Sequence, residues 1–245
     1  GYDLLRRWEA TLAALESATK TALPQLHAIM IRHGSPLIRN AGTLAGNIVN
    51  ASPIGDTMPA FMVMNAELEL TGYQDTKPTT RRVNINTFYT GYRKTVLRPD
   101  ELLTRILTPK LSPSETLRLY KISKRWDLDI STFTAAFWIK TAIAPKSASN
   151  GHSNGNTHLI IDDIRIAYGG VGPVILRLPK TESFLKGKEL TEELMQQAGE
   201  LARSEITPIS DVRSSADYRW QLAENIPLKW FYDLTGQTVE ELAIN

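Results

Sequence analysis

Apolar residues at Leu4, Leu5, Trp8, Leu12 and Leu15 recur at helical spacing, so the chain is expected to open with an amphipathic helix over Leu4–Ser17. A second helix is expected from Pro24 through Leu26, Ile29 and Met30 towards His33, with proline at a first-turn position that tolerates it. Met58–Ala66 is apolar throughout and reads as a short buried helix. The pattern then changes period. Glu67–Thr71 and Arg81–Ile85 alternate polar and apolar residues around a turn at Gly72–Lys77, which predicts a hairpin. Further strands are expected at Leu103–Leu107, Leu117–Lys121, Phe133–Ile143 and Ile160–Tyr168. Glu192–Arg203 has the clearest amphipathic helical pattern, with acids in its first turn. A last helix is expected over Ala223–Leu234, broken or started by Pro227. Strands grouped apart from helices argue for an α+β fold. The Pro- and Ser-containing segment Leu111–Glu115 marks the best division, giving domains 1–110 and 115–245.

Three stretches fall outside this periodicity. Ile38–Pro59 collects Gly42, Gly46, Gly55, Pro53 and Pro59 among small hydroxyl and amide side chains. Each interior glycine costs a helix about 1 kcal/mol and each proline about 3, so the stretch reads as a loop. Such a backbone approaches ligands closely, and its free N–H groups suit an anion such as a phosphate, with Asp56 as an acceptor for hydroxyls. A plain connector fits the same residues. Phe88–Leu97 carries aromatics and bases around Gly91, and either lines a polar cleft or packs its rings on the core. Ala144–His158 is rich in Ser, Asn and Gly and reads as a flexible loop. His152 and His158 lie in it without the companions a metal site needs.

Composition narrows the chemistry. The 245 residues contain no cysteine, so this chain offers no disulfide, thiolate metal site or iron–sulfur ligation. A net charge of +2 gives no nucleic-acid surface, and no apolar run is long enough for a membrane span. The start, Gly1-Tyr2-Asp3, has neither an initiating Met nor a signal pattern, as expected of a piece of a longer polypeptide. Neither a GxGxxG between strand and helix nor a GxxxxGK[ST] occurs, and HExxH and GxSxG are also missing. Asp56, Lys121, Asp127 and His33 are candidate acid–base groups, but none forms a spaced pair implying hydrolysis. A cofactor loop without a catalytic dyad suits an electron-transfer module, where the cofactor does the chemistry.

Four segments in order carry a family resemblance over nearly the whole chain. They are Arg39-Asn40 with Thr43–Ile48 and Ala51–Asp56, then Gly91–Thr95, then Tyr120–Arg125 with Asp127, Asp129 and Ile130, and finally Pro208–Ser215 with Tyr218-Arg219. Together they resemble the flavin-carrying region of the xanthine dehydrogenase-like molybdenum hydroxylases. The resemblance implies the second half of a PCMH-type FAD-binding domain, followed by a CO dehydrogenase flavoprotein C-terminal-like α/β domain. It implies FAD as the cofactor, with Thr43, Leu44, Ala45, Gly46, Asn47 and Asp56 binding it, Leu103 packing on the isoalloxazine ring, and Lys121 contacting the flavin. His33 stands where the family usually has a Phe that helps to sandwich the ring, and brings a titratable edge there. Ala45 replaces a common Gly.

The resemblance also implies partners: an iron–sulfur domain carrying 2Fe-2S clusters, a molybdenum-cofactor (molybdopterin) subunit or domain, and NAD+ or oxygen as acceptor. No nucleic acid and no membrane are expected as partners, and a cytoplasmic setting is expected. The family's first FAD subdomain and its iron–sulfur cysteines are not in this sequence. Two other readings stand beside this one. The same module serves aldehyde, carbon monoxide and aromatic acyl-CoA enzymes, and a domain that had lost its cofactor would serve only in assembly.

Overall fold

The computed structural model of the chain describes residues 5–8, 19–20, 23–143 and 159–236. The segment Ala144–His158, with its two histidines, lies outside the described residues, as does most of the expected first helix. Leu5–Trp8 itself is a strand, β1, rather than helix. It pairs antiparallel with β6 (Leu102–Pro109), Leu5 opposite Pro109 and Trp8 opposite Ile106. Four residues carry too little periodicity to choose, and an open sheet edge decides for them.

Ile38–Pro59 is not a continuous loop. Helices α2 (Pro36–Ala41), α3 (Leu44–Val49) and α4 (Met58–Val63) occupy or enter it, after α1 (Pro24–Met30). The glycine cost is met only once inside these helices, at Gly46, because Gly42 is a C-cap and Gly55 lies between helices. Local caps offset it: Ser35 accepts from the Ile38 N–H and Thr43 from the Gly46 N–H, with Pro36 and Pro59 in first turns.

Strands β2 (Glu67–Gln74) and β3 (Lys77–Asn84) form the expected hairpin. Its turn is Asp75-Thr76, with φ of 48° and 65°, and Gly72 lies within the strand. The first sheet has the order β1-β6-β2-β3. A small hairpin, β4 (Tyr89–Gly91) with β5 (Lys94–Thr95), sits beside it. The second sheet joins β10 (Leu176–Arg177), β9 (Leu159–Gly169), β8 (Phe133–Ile143) and β7 (Glu115–Ile122), all antiparallel. Three helices follow it: α5 (Pro179–Leu185), α6 (Glu192–Ser204) and α7 (Ala216–Thr235).

The layers are stacked so that the second sheet is buried on both faces. One core joins α1, α3, α4 and the first sheet to Leu117, Leu119, Ala136 and Trp138 of the second. The other joins Phe133, Ala135, Phe137 and Ile139 to α5, α6 and α7, with Phe137 stacked on Trp230 at 5.1 Å. Period-two alternation along β8 thus feeds two cores, which is why its sequence reads as a continuous apolar run. Two arginines tie the layers: Arg165 donates to the Val63 carbonyl at 2.7 Å and lies 3.5 Å over the Trp138 ring, and Arg177 donates to the Met62 carbonyl at 3.3 Å. Both guanidiniums meet the C-terminal carbonyls of α4, where a cation is favoured.

The last helix starts seven residues before the expected Ala223, at a Ser215 cap that accepts from the Tyr218 N–H, and runs through Pro227. A proline leaves the carbonyl four residues earlier without its helical donor. That carbonyl, of Ala223, accepts instead from the buried Tyr168 hydroxyl at 3.3 Å. Helix α6 crosses α7 closely at Gly199, where an added Cβ would lie 2.0 Å from the Glu224 carbonyl oxygen. Overpacking of this kind costs about 1–3 kcal/mol, and the better helix propensity of alanine returns about 1. Gly199→Ala is expected to lower the melting temperature by a few degrees, roughly 2–4 °C per kcal/mol at this size. Differential scanning calorimetry of the two proteins checks this, and an unchanged melting point would show that the helices separate freely.

Candidate functional site

Strand β7 directs Leu117, Leu119 and Lys121 to one face, towards α1, and at its end the apolar row finishes on an ammonium group. The Lys121 side chain is only 2 % exposed. Its Nζ donates to Asp56 Oδ2 at 2.6 Å and to the Arg32 carbonyl at 3.0 Å. Asp56, also buried, lies in the turn entering α4. Its carboxylate accepts further from Ser131, just ahead of β8, and from His33 Nδ1 at 2.9 Å, in the turn after α1. Three further segments, the turn after α1, the end of β7 and the entry to β8, thus converge on one carboxylate. Burial by itself would raise the Asp56 carboxyl, but the hydrogen bond from His33, the charge and hydrogen bond of Lys121 and the Ser131 hydroxyl outweigh it and hold it below its ordinary value. Three of the roughly four lone-pair positions of the carboxylate are occupied. Asp56 therefore serves first as the post that fixes a cation and an imidazole.

The Thr43–Asn47 segment stands beside this cluster, linked through Thr57, whose hydroxyl donates to Asn47 Oδ1 at 2.6 Å. Thr43 caps α3 and is exposed, as is Gly46; Ala45 and Asn47 are half-buried, and Leu44 and Ile48 anchor the helix in the core. The Asn47 amide nitrogen has no partner among the described residues. Leu103, 8 % exposed, belongs to the apolar core on β6, against which α3 packs. The structure thus joins His33, Asp56 and Lys121, which sequence reasoning named separately, in one cluster, and turns Thr43–Asn47, expected as loop, into a helix start above the apolar strand residue Leu103. Sequence reasoning missed Ser131, for which no motif gives a signal. It also missed the carbonyl of Arg32, a backbone partner that side-chain patterns cannot reveal.

A cavity of about 570 Å³ is lined by Pro53, Ile54, Tyr92, Gly170, Thr207 and Asp211. Its walls are held by the Gly170 N–H donating to the Pro53 carbonyl at 2.7 Å. Gly170 has φ +82°, and a Cβ there would lie 2.5 Å from the Thr132 carbonyl oxygen, so this approach requires glycine. The floor is Arg219, 1 % exposed, which donates to the carbonyls of Thr132 and Ile209 and grips Asp211 with two bonds of 2.9 and 3.0 Å. Tyr92, 58 % exposed, lines this mostly apolar cavity, whereas Phe88 is fully buried in the core; neither Arg93 nor Lys94 lines the cavity, so the segment packs one ring on the core without forming a polar cleft there. On the outer side Arg32 lies 4.3 Å over the ring of Trp126 and donates to its carbonyl at 3.2 Å, holding the charged 123–131 loop against the cluster.

Among the described residues no helix is long and apolar enough to cross a membrane, and no group of His, Asp and Glu is placed to hold a metal ion. Residues 9–111 match the FAD binding domain in molybdopterin dehydrogenase, and residues 118–234 match the CO dehydrogenase flavoprotein C-terminal domain. A xanthine dehydrogenase of Dictyostelium discoideum is 30% identical over 202 residues, 82% of this chain and 15% of that protein. A nicotinate hydroxylase of Emericella nidulans is 31% identical over 200 residues, 75% of this chain and 14% of its own length. In three dimensions a chain of the reconstituted CO dehydrogenase from Oligotropha carboxidovorans superposes with a TM-score of 0.75 at 25% identity, over 93% of this chain and 77% of that one. This chain spans about one seventh of the length of the curated relatives it matches.

Proposed function

Since the chain is an FAD-binding module of the molybdenum hydroxylase family, we propose that it is the electron-transfer module of a xanthine dehydrogenase-like enzyme. Electrons from an iron–sulfur domain, supplied in turn by a molybdenum-cofactor subunit or domain, pass through FAD to NAD+ or oxygen. The two domains are taken as 1–110 and 115–245. The observation that carries this reading is the buried Lys121–Asp56 pair, which brings a fixed cation from the second sheet to the edge of the Thr43–Asn47 segment.

The residues present suit the cofactor. Leu44 and Ala45 lie in the first turn of α3, where N–H groups have no intrahelical acceptor, and with the Thr43 hydroxyl and the free Asn47 amide they supply donors for pyrophosphate and ribityl oxygens. Asp56 keeps one acceptor position that would suit a ribityl hydroxyl or a ring N–H, Leu103 would add an apolar wall, and His33 would stand beside the cofactor. FAD, when bound, supplies the capacity to take two electrons and release them singly or as a pair. Lys121 would favour negative charge on the bound cofactor, in a site where burial makes a fixed cation count for more than in water. The cavity lined by Pro53 and Tyr92 would give the acceptor its approach.

Lys121→Ala is expected to slow flavin reduction, or its reoxidation by NAD+, by about tenfold to a hundredfold in the full enzyme, the loss of roughly 1.4–2.8 kcal/mol of charge stabilisation. Stopped-flow absorbance of the flavin band under NAD+ and under oxygen reads both half-reactions and identifies the acceptor. Unchanged rates in both would remove Lys121 from the site, and a colourless full-length enzyme would favour an assembly role instead.

A further inference from the structure

A second recess, of about 550 Å³, lies between the end of β7 and the turn that leads into α7. Lys124 and Thr132 line it from the strand side, and Arg213, Ser214, Ser215 and Tyr218 from the other. It shares only Asp211 with the cavity beside Tyr92, and no residue of the Thr43–Asn47 segment or of the Lys121–Asp56 pair lines it. Its unused polar groups can all donate. The Arg213 guanidinium and the hydroxyls of Ser214 and Tyr218 have no partner among the described residues, and Lys124 Nζ gives one of its three hydrogens to the Val212 carbonyl at 3.2 Å. Ser215 accepts from the Tyr218 N–H, which leaves its own hydrogen free.

The acids around the recess are already engaged. Asp211 accepts from Arg219 with both oxygens and from the amides of Arg213 at 2.9 Å and Ser214 at 3.1 Å, so its charge is answered from behind. In the 123–131 loop Asp129 is bound to Arg125, and Asp127 accepts from the Leu128 N–H at 2.8 Å. Asp217 stands in the first turn of α7 without lining the recess. Two cations therefore face the space with no acid of their own. Thr132 adds the second, independent sign. It is 3 % exposed, its N–H donates to the Ile122 carbonyl and its carbonyl accepts from Arg219, yet its hydroxyl has no partner among the described residues. Buried polar groups are nearly always paired, so an idle hydroxyl on the wall of a recess points to an absent ligand atom.

We infer that this recess binds a phosphate ester of a small organic molecule, beyond the flavin and its acceptor. The planar fork of Arg213 matches phosphoryl oxygens, with Lys124 as a second cation, the hydroxyls of Thr132 and Ser214 as neutral donors, and the start of the twenty-residue helix α7 favouring negative charge. The volume falls within the range of about 300–1,000 Å³ typical of small-molecule sites, more than a bare phosphate fills. Ile122, Val212 and the Tyr218 ring supply apolar wall for the carbon body of the ester. Binding is reversible, and no covalent bond forms or breaks.

Calorimetric titration of the full-length enzyme with inorganic phosphate, AMP and benzyl phosphate tests this. Both esters are expected to bind more tightly than inorganic phosphate. Arg213→Gln should weaken both by about tenfold or more, and Thr132→Val, which keeps the shape and removes the hydroxyl, by about threefold to tenfold. Lys77→Gln, which removes an exposed cation from the distant β3 hairpin, should leave both unchanged. Ester affinities that are the same in the wild type, Arg213→Gln and Thr132→Val would overturn the site, as would a wild-type enzyme that binds none of the three probes. Inorganic phosphate binding as tightly as both esters would overturn the assignment of an organic body.

Discussion

Asp56→Ala is expected to melt on the order of 10 °C below the wild type, the largest stability loss of any single change in the candidate site. The substitution leaves the ammonium of Lys121, with its side chain 2 % exposed, facing an apolar strand face with only the Arg32 carbonyl beside it, and strips an acceptor from Ser131 and His33. Removing one partner of a buried ion pair costs about 3–5 kcal/mol, because the survivor stays desolvated. Asp56→Asn keeps an acceptor and the shape, so it should lose less. Thermal melts followed by circular dichroism separate the two, and equal melting points for wild type and Asp56→Ala would mean that Lys121 reaches water.

The same carboxylate makes stability depend on acid. Its folded value lies below its unfolded one, so its contribution is complete above the unfolded carboxylate value of about 3.9 and is lost as pH falls through the lower folded value. Asp56→Asn should therefore flatten the acid limb of stability below about pH 4 and leave its slope near neutrality unchanged.

Arg219→Met is expected to cost about 3 kcal/mol, measured by urea unfolding with an unchanged slope. The guanidinium is fully enclosed and fastens the Ile209–Asp211 turn to the strand entry at Thr132 by four hydrogen bonds. Methionine fills the stem's volume but leaves those carbonyls unpaired. Burial by itself would raise the Asp211 carboxyl, but the Arg219 bonds and two backbone amides hold it below its ordinary value, so the substitution should move it upward. Carbon-13 NMR titration of Asp211 reads that shift directly. A full loss of stability with no movement of Asp211 would show that packing, rather than the fork, carries the effect.

The hairpin of β2 and β3 was legible because Leu68 and Leu70 alternate with polar residues on a half-buried face. Its turn was not, since Asp75 and Thr76 adopt positive φ without the glycine that would advertise it. The helices within Ile38–Pro59 were hidden because six-residue helices draw on caps and burial, while propensity scales weigh interior glycines and prolines. The start of α7 at Ala216 was hidden because Asp217, Tyr218 and Arg219 open it, and its first apolar residues, Trp220 and Leu222, are only half-buried. At the candidate site, residue types pointed to Asp56 and Lys121 separately. Nothing in a spacing of 65 residues announces a bond between them, and Ser131 entered only when β8 brought it there.

The double-faced second sheet bears on how the polypeptide is made. Helices α1, α3 and α4 leave the ribosome well before the strands that cover them, and Asp56 waits 65 residues for Lys121 and 75 for Ser131. At roughly 5–20 residues per second the nascent chain spends about 4–15 s with that apolar layer uncovered and its buried acid unpartnered. Chaperone capture should therefore peak while residues between 63 and 131 are being translated, and a cut at Leu111–Glu115 should give an N-terminal piece that aggregates rather than a free-standing domain.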